Sequence, residues 1–261
     1  MSFSVSKQNG KLIYKVIDKG YDVRNDSTFW CIQKADEIYN WNDFSELIIY
    51  TDDYEKNIND FTYSKNNSYH NLIPDFNFHA WPNFNIDDYD KIIKEIDKAS
   101  ICGYKLFKVG WIGYLKSSPL RSKLFNVGNK HSDLLDIYDS EISTWICIPD
   151  LVKTYAILID IEGSGYSGRF KHLLWSRRPI LLIDRPHKEF FFKYLIEWYH
   201  YIPVKRDLSD LIEKTKWCMD NYDIALKIAT NAFEFSKLYL TRSSCYNEWN
   251  NVITNHINNS K

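Results

Sequence analysis

The chain has 261 residues, 44% of them hydrophobic and 26% charged, which is ordinary globular usage and excludes disordered and fibrous classes. Its 33 Lys and Arg residues balance 34 Asp and Glu residues, so the net charge of -1 gives no overall attraction to nucleic acid or anionic lipid. The apolar runs fall short of the roughly 20 residues that a membrane-spanning helix needs. We therefore expect neither a nucleic-acid partner nor a membrane span.

The compartment is predicted from the start of the sequence and from its cysteines. Residues 1–16 lack the basic start, apolar run and cleavage site of a secretory signal. The five cysteines are scattered, odd in number and contain no C-x-x-C pair, so neither a disulfide framework nor a zinc site is indicated. These features predict a reducing, cytoplasmic location.

Strand and helix patterns alternate along the chain. Apolar, β-branched runs typical of buried strands occupy residues 12–17, 46–50, 106–109, 155–161 and 179–183. Helical patterns occupy residues 29–39, 87–99, 167–176, 208–219 behind an Asp207 cap, 224–240, and from about 243 to the end. Alternation of this kind predicts an α/β fold, with a domain boundary near Pro149.

A glycine loop follows the predicted strand 155–161 and precedes the predicted helix 167–176, which leads to the strand 179–183. This order predicts a βαβ unit with the loop at the carboxyl end of its first strand, where open α/β sheets bind ligands. Its glycines, Gly163, Gly165 and Gly168, would let the backbone approach a phosphate closely, and a helix start favours negative charge.

Basic residues cluster around this loop. Between Gly163 and Lys188, six Lys and Arg residues face one acid, Asp184: Arg169, Lys171, Arg177, Arg178, Arg185 and Lys188. A diphosphate is the guest that such a cluster favours. The alternative is that the glycines only form a tight turn and the cations a solvated face, because the spacing matches neither standard nucleotide-binding loop.

Four blocks of the sequence resemble glycosyltransferase family 90, which includes protein O-glucosyltransferases and fungal capsule xylosyltransferases. GYSGRFKHLLWSRRPILLID resembles the donor-site block of that family, and HYIPVKRDLSDL resembles the block that follows it. Upstream, FTYSKNNSYHNLIPDFNFHAW and KVGWIGYLKSSPLR resemble two further blocks. One departure is that family members usually carry an Arg-Gly-Ser where this chain reads GWIGYL, so one basic residue of the family pattern is missing.

The resemblance implies a fold and a separate role for each of its two domains. It implies a compact GT-B-like arrangement of two Rossmann-like domains with a cleft between them. Residues 1–149 would form the acceptor-side domain, and residues 150–261 the nucleotide-sugar donor-binding domain with terminal helices.

The resemblance also assigns donor-binding residues. Arg121 and Arg169 fall on family arginines that neutralise the donor diphosphate, and Gly165 and Ser167 fall in the phosphate-facing loop. Gly163 and Lys171, from the same loop and helix, complete the predicted donor site.

The motif LIIYTDDY looks like the family strand that precedes the proposed general base, and the alignment lands on Asp53. Asp52 would take its place if the register slips by one residue. Alternatively, both carboxylates only cap a turn after the strand. Trp81 and Trp111 could stack on a sugar face on the acceptor side.

Metal signals are weaker. Asp88-Tyr89-Asp90 has the D-x-D form that holds a metal and a diphosphate in the other large transferase fold, but it lies in the first turn of a predicted helix, where acids cap. The histidines His70, His79, His172 and His187 show no ligand spacing. We therefore expect no metal and no other cofactor.

These observations lead to one expected function and two rivals. The resemblance implies that the chain is an inverting, metal-independent glycosyltransferase that moves xylose or glucose from a UDP-sugar to a hydroxyl of a glycan or glycoconjugate. The first rival is a catalytically inactive nucleotide-sugar or sugar binding protein of the same fold. The second is a structural α/β protein whose basic loop binds nothing.

Overall fold

Residues 1–20, 22–144 and 146–259 are described by the computed structural model, and their contacts divide into two units. The first unit comprises Met1–Tyr89, Pro186–Lys193 and Tyr239–Lys261. The second comprises Asp90–Arg185 and Tyr194–Leu238. Each unit is therefore built from segments that are distant in the sequence. None of the described helices is both long and apolar enough to cross a membrane.

The first unit contains a four-stranded sheet with the order β2-β1-β3-β4. Its strands are β1 (Ser2–Gln8), β2 (Lys11–Asp18), β3 (Phe44–Tyr50) and β4 (Phe61–Thr62). Strand β1 pairs with β2 and β3 in antiparallel register, whereas β4 runs parallel to β3. This mixed sheet differs from the parallel sheet of a Rossmann-like domain.

Two long helices and a short ribbon complete the first unit. Helix α1 (Asp22–Tyr39) packs against helix α8 (Arg242–Asn259), and both bury apolar side chains, such as Ile32 and Trp249. Strands β5 (Ser64–Asn66) and β10 (His187–Glu189) pair as an antiparallel ribbon. The helix predicted from about residue 243 to the end is therefore confirmed as far as Asn259, and residues 260 and 261 lie outside the described part of the chain.

The second unit contains a five-stranded sheet with the order β11-β9-β8-β6-β7, and every pairing in it is parallel. Its strands are β6 (Leu106–Gly113), β7 (Leu135–Asp139), β8 (Tyr155–Asp160), β9 (Ile180–Ile183) and β11 (Ile202–Val204). All six residues of β8 are buried, as is typical of a central strand in a parallel sheet whose two faces are covered. The predicted strands 106–109, 155–161 and 179–183 are confirmed, and the α/β class with them.

The strand order reverses between β6 and β8. From β6 the chain moves outward to β7 at one edge, and then crosses back to the other side of β6 to form β8, β9 and β11 in turn. In open α/β sheets such a reversal opens a crevice at the carboxyl ends of the two strands, and ligands bind there. The fold alone therefore points to the ends of β6 and β8.

Six helices of the described residues accompany this sheet: α2 (Tyr89–Ile101), α3 (Pro119–Lys130), α4 (Ile148–Thr154), α5 (Phe170–Leu173), α6 (Leu211–Asp220) and α7 (Tyr222–Tyr239). Helix α2, which the sequence predicts at 87–99, buries Ile92, Ile96 and Ala99. Helix α3 begins with a Ser118 cap whose hydroxyl accepts from the backbone nitrogen of Leu120 at 3.3 Å.

Three local expectations differ from the structure. The helix predicted at 167–176 is the four-residue α5 followed by a 3₁₀ turn, Leu174–Ser176. Asp207 does not cap α6, which begins at Leu211; its carboxylate instead accepts from the backbone nitrogen of Ser209 at 3.0 Å. The predicted boundary between residues 149 and 150 lies inside α4, and β6 and β7 pair in the same sheet as β8, so the contacts divide the chain elsewhere.

Candidate functional site

Charged side chains gather at the carboxyl edge of the second sheet. Because its strands are parallel, the residues that follow them meet at one edge. Strand β8 ends at Asp160, with Glu162 two residues later, and Arg185 follows β9. Arg206 follows β11, and Arg121 lies in the first turn of α3, after β6.

Asp160 is neutralised inside the protein. Its carboxylate accepts a hydrogen bond from the Ser167 hydroxyl at 2.8 Å and an ion-paired hydrogen bond from the Arg185 guanidinium. The side chains of Asp160 and Arg185 are only 2% and 1% exposed. A buried charge needs such a partner, so the ion pair with Arg185 leaves little charge on Asp160 for a ligand. The hydrogen bond from Ser167 joins the two ends of the glycine loop.

Glu162 is neutralised in the same way by Arg206. Both carboxylate oxygens of Glu162 accept from the two terminal nitrogens of this guanidinium, which is the bidentate geometry that favours arginine. The hydrogen bond with Glu162 raises the pKa of Arg206. Asp160 and Glu162 are thus paired with Arg185 and Arg206, and neither of these acids forms an ion pair with Arg121 or Arg169.

Arg121 links the two strands at the reversal point. Its Nε donates to the backbone carbonyl of Glu162 at 2.7 Å, and its Nη1 donates to the carbonyl of Tyr114 at 3.2 Å. Tyr114 follows β6 and Glu162 follows β8. The guanidinium therefore lies at the crevice that the strand order predicts.

Trp111, on β6, is contacted by both remaining arginines. The Cζ atom of Arg121 lies 5.4 Å from the centre of the indole ring, and that of Arg169 lies 5.9 Å from it. A Cβ atom on Gly113 would approach Cζ2 of Trp111 to 2.6 Å and Nη1 of Arg121 to 3.4 Å. A glycine at this position therefore lets the ring and the guanidinium pack where they do.

The two guanidinium groups repel each other. Burial, followed by the charge of Arg169, lowers the pKa of Arg121 to about 10, and burial also lowers the pKa of Arg169. Both side chains are still cationic at neutral pH. Within the described part of the chain, Nη1 of Arg169 has no hydrogen-bond partner although it is buried. An anion beside these groups would relieve the repulsion and supply that partner.

The structure separates the predicted donor residues into two groups. Gly163 lies beside Arg121, since a Cβ atom there would come within 3.5 Å of Nη2, and Arg169 shares Trp111 with Arg121. Ser167 is turned inward to Asp160, and Lys171 is fully buried with its Nζ 3.3 Å from the carbonyl of Gly168. Ser167 and Lys171 therefore have interior partners, which differs from the expected contact with phosphate.

Gly165 lies in the same loop and is buried. The loop does not lead into a helix long enough to supply the expected N-terminal dipole, because α5 has four residues. The side chains of Arg121 and Arg169, rather than a helix start, therefore provide the positive charge.

Two other basic residues from the predicted cluster have structural partners. Arg177 pairs with Asp97 and donates to the hydroxyl of Ser100 at 3.0 Å, so its charge is engaged within the protein. Arg178 is buried and donates to the carbonyl of Val152 at 3.1 Å. The surplus of cations read from the sequence is consequently reduced by ion pairs and carbonyl contacts.

Asp53 lies in the first unit, after β3. Its Oδ1 accepts from Nη1 of Arg24 at 2.8 Å, and the same nitrogen lies 3.2 Å from the carbonyl of Thr51. Arg24 also packs over the ring of Phe76, 5.1 Å from its centre. The Asp53 carboxylate, 29% exposed, is thus held by an arginine that is itself fixed at two other points.

Asp52 faces different groups. Its carboxylate accepts from the amino group of Met1 at 2.6 Å and lies 3.6 Å from Nζ of Lys56. The two neighbouring acids therefore have separate partners, and a substitution of one leaves the ion pair of the other intact.

The two tryptophans assigned to the sugar side differ in exposure. Trp81 is half-buried and packs against Phe84 and Phe76, with ring centres 3.9 Å and 5.6 Å away. Trp111 is 1% exposed, so it offers no open face for stacking. Its observed role is to support the two arginines.

Two residues of the D-x-D motif, Asp88 and Tyr89, form hydrogen bonds within the protein. The carboxylate of Asp88 accepts from Arg242 at 2.7 Å, and the hydroxyl of Tyr89 donates to the carbonyl of Leu240 at 2.6 Å. Asp90 lies in the first turn of α2. Across the residues that the structure describes, no group of three or more His, Cys, Asp and Glu side chains is arranged to hold a metal ion.

The sequence did not assign roles to Arg24, Asp160, Glu162 or Arg206. Asp160 and Glu162 do carry a signal, because acids at the end of a fully apolar strand need cationic partners. The partners themselves are separated from these acids in the sequence and are brought near only by the sheet order.

The family relationship is established by comparison with known proteins. The sequence pattern of the family named glycosyl transferase family 90 matches residues 49–258, which is most of the chain. The chain belongs to this family, and the identification made from its sequence motifs is confirmed.

Particular relatives are more distant. Protein O-glucosyltransferase 1 of Rattus norvegicus is 27% identical over 81% of this chain and 62% of its own length. Protein O-glucosyltransferase 3 of Homo sapiens is 39% identical over 29% of this chain and 15% of its own length. Uncharacterized protein 035R of Invertebrate iridescent virus 3 is 27% identical over 59% of this chain and 16% of its own. This chain thus spans less than two thirds of the relatives it matches.

Among solved structures, the crystal structure of TarM gives a TM-score of 0.44 at 15% identity, over 57% of this chain and 36% of that one.

Proposed function

We propose that the chain is a glycosyltransferase that moves a sugar from a UDP-sugar to a hydroxyl group of a glycan or glycoconjugate, with inversion at the anomeric carbon. Membership of glycosyl transferase family 90 supports the reaction class. The relatives named protein O-glucosyltransferase favour glucose as the sugar, with xylose as the second choice.

The observation that carries the donor site is the pairing of Arg121 and Arg169 around Trp111 at the reversal point of the sheet. Two partly buried cations without a matching acid form a site for a dianion. A pyrophosphate offers several acceptor oxygens, and charge-assisted hydrogen bonds to phosphate are among the stronger ones in proteins.

These arginines would also serve the chemistry. As the bond between the anomeric carbon and the pyrophosphate oxygen breaks, negative charge grows on the departing nucleotide. Cations fixed beside that oxygen stabilise the transition state more than the ground state, which is the condition for catalysis. Two arginines can provide this countercharge without a metal ion.

Asp53 is proposed as the general base. The acceptor oxygen forms the new bond to the anomeric carbon from the face opposite the nucleotide, and its proton passes to the carboxylate. Arg24 holds Asp53 in one orientation through the 2.8 Å ion pair, so its free oxygen is available in a fixed direction. A positioned base typically contributes about 10²–10⁴-fold in rate.

The proposal is tested by incubating the chain with a panel of UDP-sugars and neutral oligosaccharide or peptide acceptors, and following UDP release together with product mass. We expect UDP-glucose to support transfer best and the product linkage to have the inverted configuration by NMR. Binding of UDP-sugars without any turnover over the whole panel would instead favour the rival, an inactive binding protein of the same fold.

A further inference from the structure

The first unit contains a groove of about 500 Å³ that the donor site does not involve. It lies between the segment around β4, from Phe61 to Leu72, and the C-terminal half of α8, from Glu248 to Asn259. We name it the α8 groove. Its volume is in the range of about 300–1,000 Å³ that small-molecule sites occupy.

One wall of the groove is a row of amides on α8. Asn251, Asn255 and Asn259 follow one another at intervals of four residues, so they share a face of the helix, with Glu248 one turn earlier. Asparagine is a poor helix former because its side chain competes for backbone hydrogen bonds. Three of them on one helix face are therefore not what helix stability favours, and all three are exposed.

The opposite wall carries an aromatic side chain and a fourth amide. Tyr69 is 46% exposed. Asn71 adopts a left-handed backbone conformation, with φ of 53°, and its side-chain nitrogen donates to the carbonyl of Asn59 at 2.9 Å. That bond fixes the amide. The buried side chains of Leu72 and Val252 contribute an apolar floor.

The charges of the lining select the class of ligand. Among the described residues that line the groove there is no Lys or Arg; Glu248 is the one carboxylate, and His70 and His256 are the two imidazoles. Lys193 acts on Tyr69 from outside this lining, so within the lining itself phosphate groups and nucleic acid would meet no Lys or Arg. Amides that both donate and accept, beside a carboxylate and a partly exposed tyrosine ring, match the vicinal hydroxyls and the apolar C–H face of a sugar.

We propose that the α8 groove binds a neutral oligosaccharide, in which amides of α8 contact the hydroxyls and Tyr69 packs against a sugar ring. If the proposed function holds, on which this role rests, the groove recognises the glycan part of the acceptor. The binding itself does not depend on turnover and can be measured alone.

The test is a glycan array and saturation-transfer NMR on the full chain, using neutral gluco-, xylo-, manno- and galacto-oligosaccharides of two to four units. We expect at least one series to bind, and Tyr69→Ala and Asn255→Ala each to weaken that binding by about tenfold. Asn258→Ala, on an exposed residue of the same helix outside the groove, should leave it unchanged.

The substitution of Asn255 is not expected to destabilise the fold, because alanine has a higher helix propensity than asparagine and Asn255 is exposed. Melting temperatures check this directly. Absence of oligosaccharide binding while UDP still stabilises the chain would overturn the groove assignment alone. Capture of unglycosylated peptides rather than glycans, or binding that survives both groove variants, would overturn it as well, whereas glycan binding without UDP binding would overturn the donor site instead.

Discussion

The Nε atom of Arg121 donates to the backbone carbonyl of Glu162 at 2.7 Å. Arg121 follows β6 and Glu162 follows β8, the two strands between which the sheet order reverses. This one hydrogen bond therefore ties together the two loops at the place where an α/β sheet opens a ligand crevice. The position of the guanidinium is fixed by backbone, so it is available to an incoming anion without rearrangement.

Gly113→Ala should weaken UDP binding although residue 113 itself supplies no charge. The new Cβ atom would lie 2.6 Å from Trp111 and must displace the ring that both arginines contact. Loss of one charge-assisted contact corresponds to about 1.5–3 kcal/mol, or roughly tenfold or more in affinity. Calorimetry with UDP measures the change.

Gly128→Ala is the matched control for this variant. Its Cβ atom would clash with Ile137, 2.5 Å away, and so strain the packing of α3 against β7. Its melting temperature should fall while its UDP affinity stays within about twofold of the original. Equal losses of affinity in both variants would show that the Gly113 effect is general destabilisation.

UDP binding should persist in chelator, because the two arginines already supply the countercharge. Titration calorimetry with and without EDTA, and then with added Mn²⁺ or Mg²⁺, measures this. Binding that disappears in EDTA and returns with metal would point to the Asp88 and Asp90 motif instead.

Asp53→Asn should reduce turnover by about 10²–10⁴-fold and leave UDP affinity nearly unchanged, because the amide cannot take the acceptor proton. Arg24→Gln, which removes the ion-pair partner of Asp53, should lower turnover less, because the carboxylate remains but loses the group that orients it.

Asp52→Asn is the control for the register of this alignment. Its carboxylate faces Met1 and Lys56 rather than Arg24, so normal turnover is expected. If Asp53→Asn turns over normally and Asp52→Asn is inactive, Asp52 is the general base. If both variants are active, the general base is a different residue.

Stability should fall below neutral pH because of His172. Burial, followed by the charge of Lys171, lowers the pKa of this fully buried histidine to about 3, whereas the unfolded value is about 6.5. Below pH 6.5 the unfolded chain binds a proton that the folded chain does not, so the free energy of unfolding decreases as pH falls toward 3. Its contribution is fully present above 6.5 and is lower by about 2 kcal/mol at pH 5.

Urea unfolding between pH 7.5 and 5 measures this slope. His172→Gln should flatten it, while His70→Gln, at an exposed histidine, should retain it. An unchanged slope in His172→Gln would show that the histidine is protonated in the folded state too.

Local patterns predicted much of this structure, and contacts between distant segments account for what they missed. The apolar run at 155–161 predicted β8 because a strand that is buried on both faces is a continuous run of apolar residues, which is visible in the local sequence. Strand β1 was missed: its two buried apolar residues, Phe3 and Val5, give only a short alternation, and its central place between β2 and β3 is set by pairing with those strands rather than by its own pattern.

The site shows the same division. The family motifs selected Arg121 and Arg169, which the structure brings together on Trp111. A count of charges in the sequence could not show that Lys171 is buried or that Arg185 forms an ion pair with Asp160. The ion pair depends on the order of the strands in the sheet, which brings the two residues together.

The central claim is that Arg121 and Arg169 hold the pyrophosphate of a nucleotide donor. It is tested most directly by calorimetry of UDP and of uridine on the original chain and on Arg169→Ala, with Lys116→Ala, an exposed cation, as control. We predict that UDP binds far more tightly than uridine, that Arg169→Ala removes roughly tenfold or more of the UDP affinity, and that the control removes almost none. Equal affinity for UDP and uridine, or equal and small effects of the two substitutions, would contradict the claim.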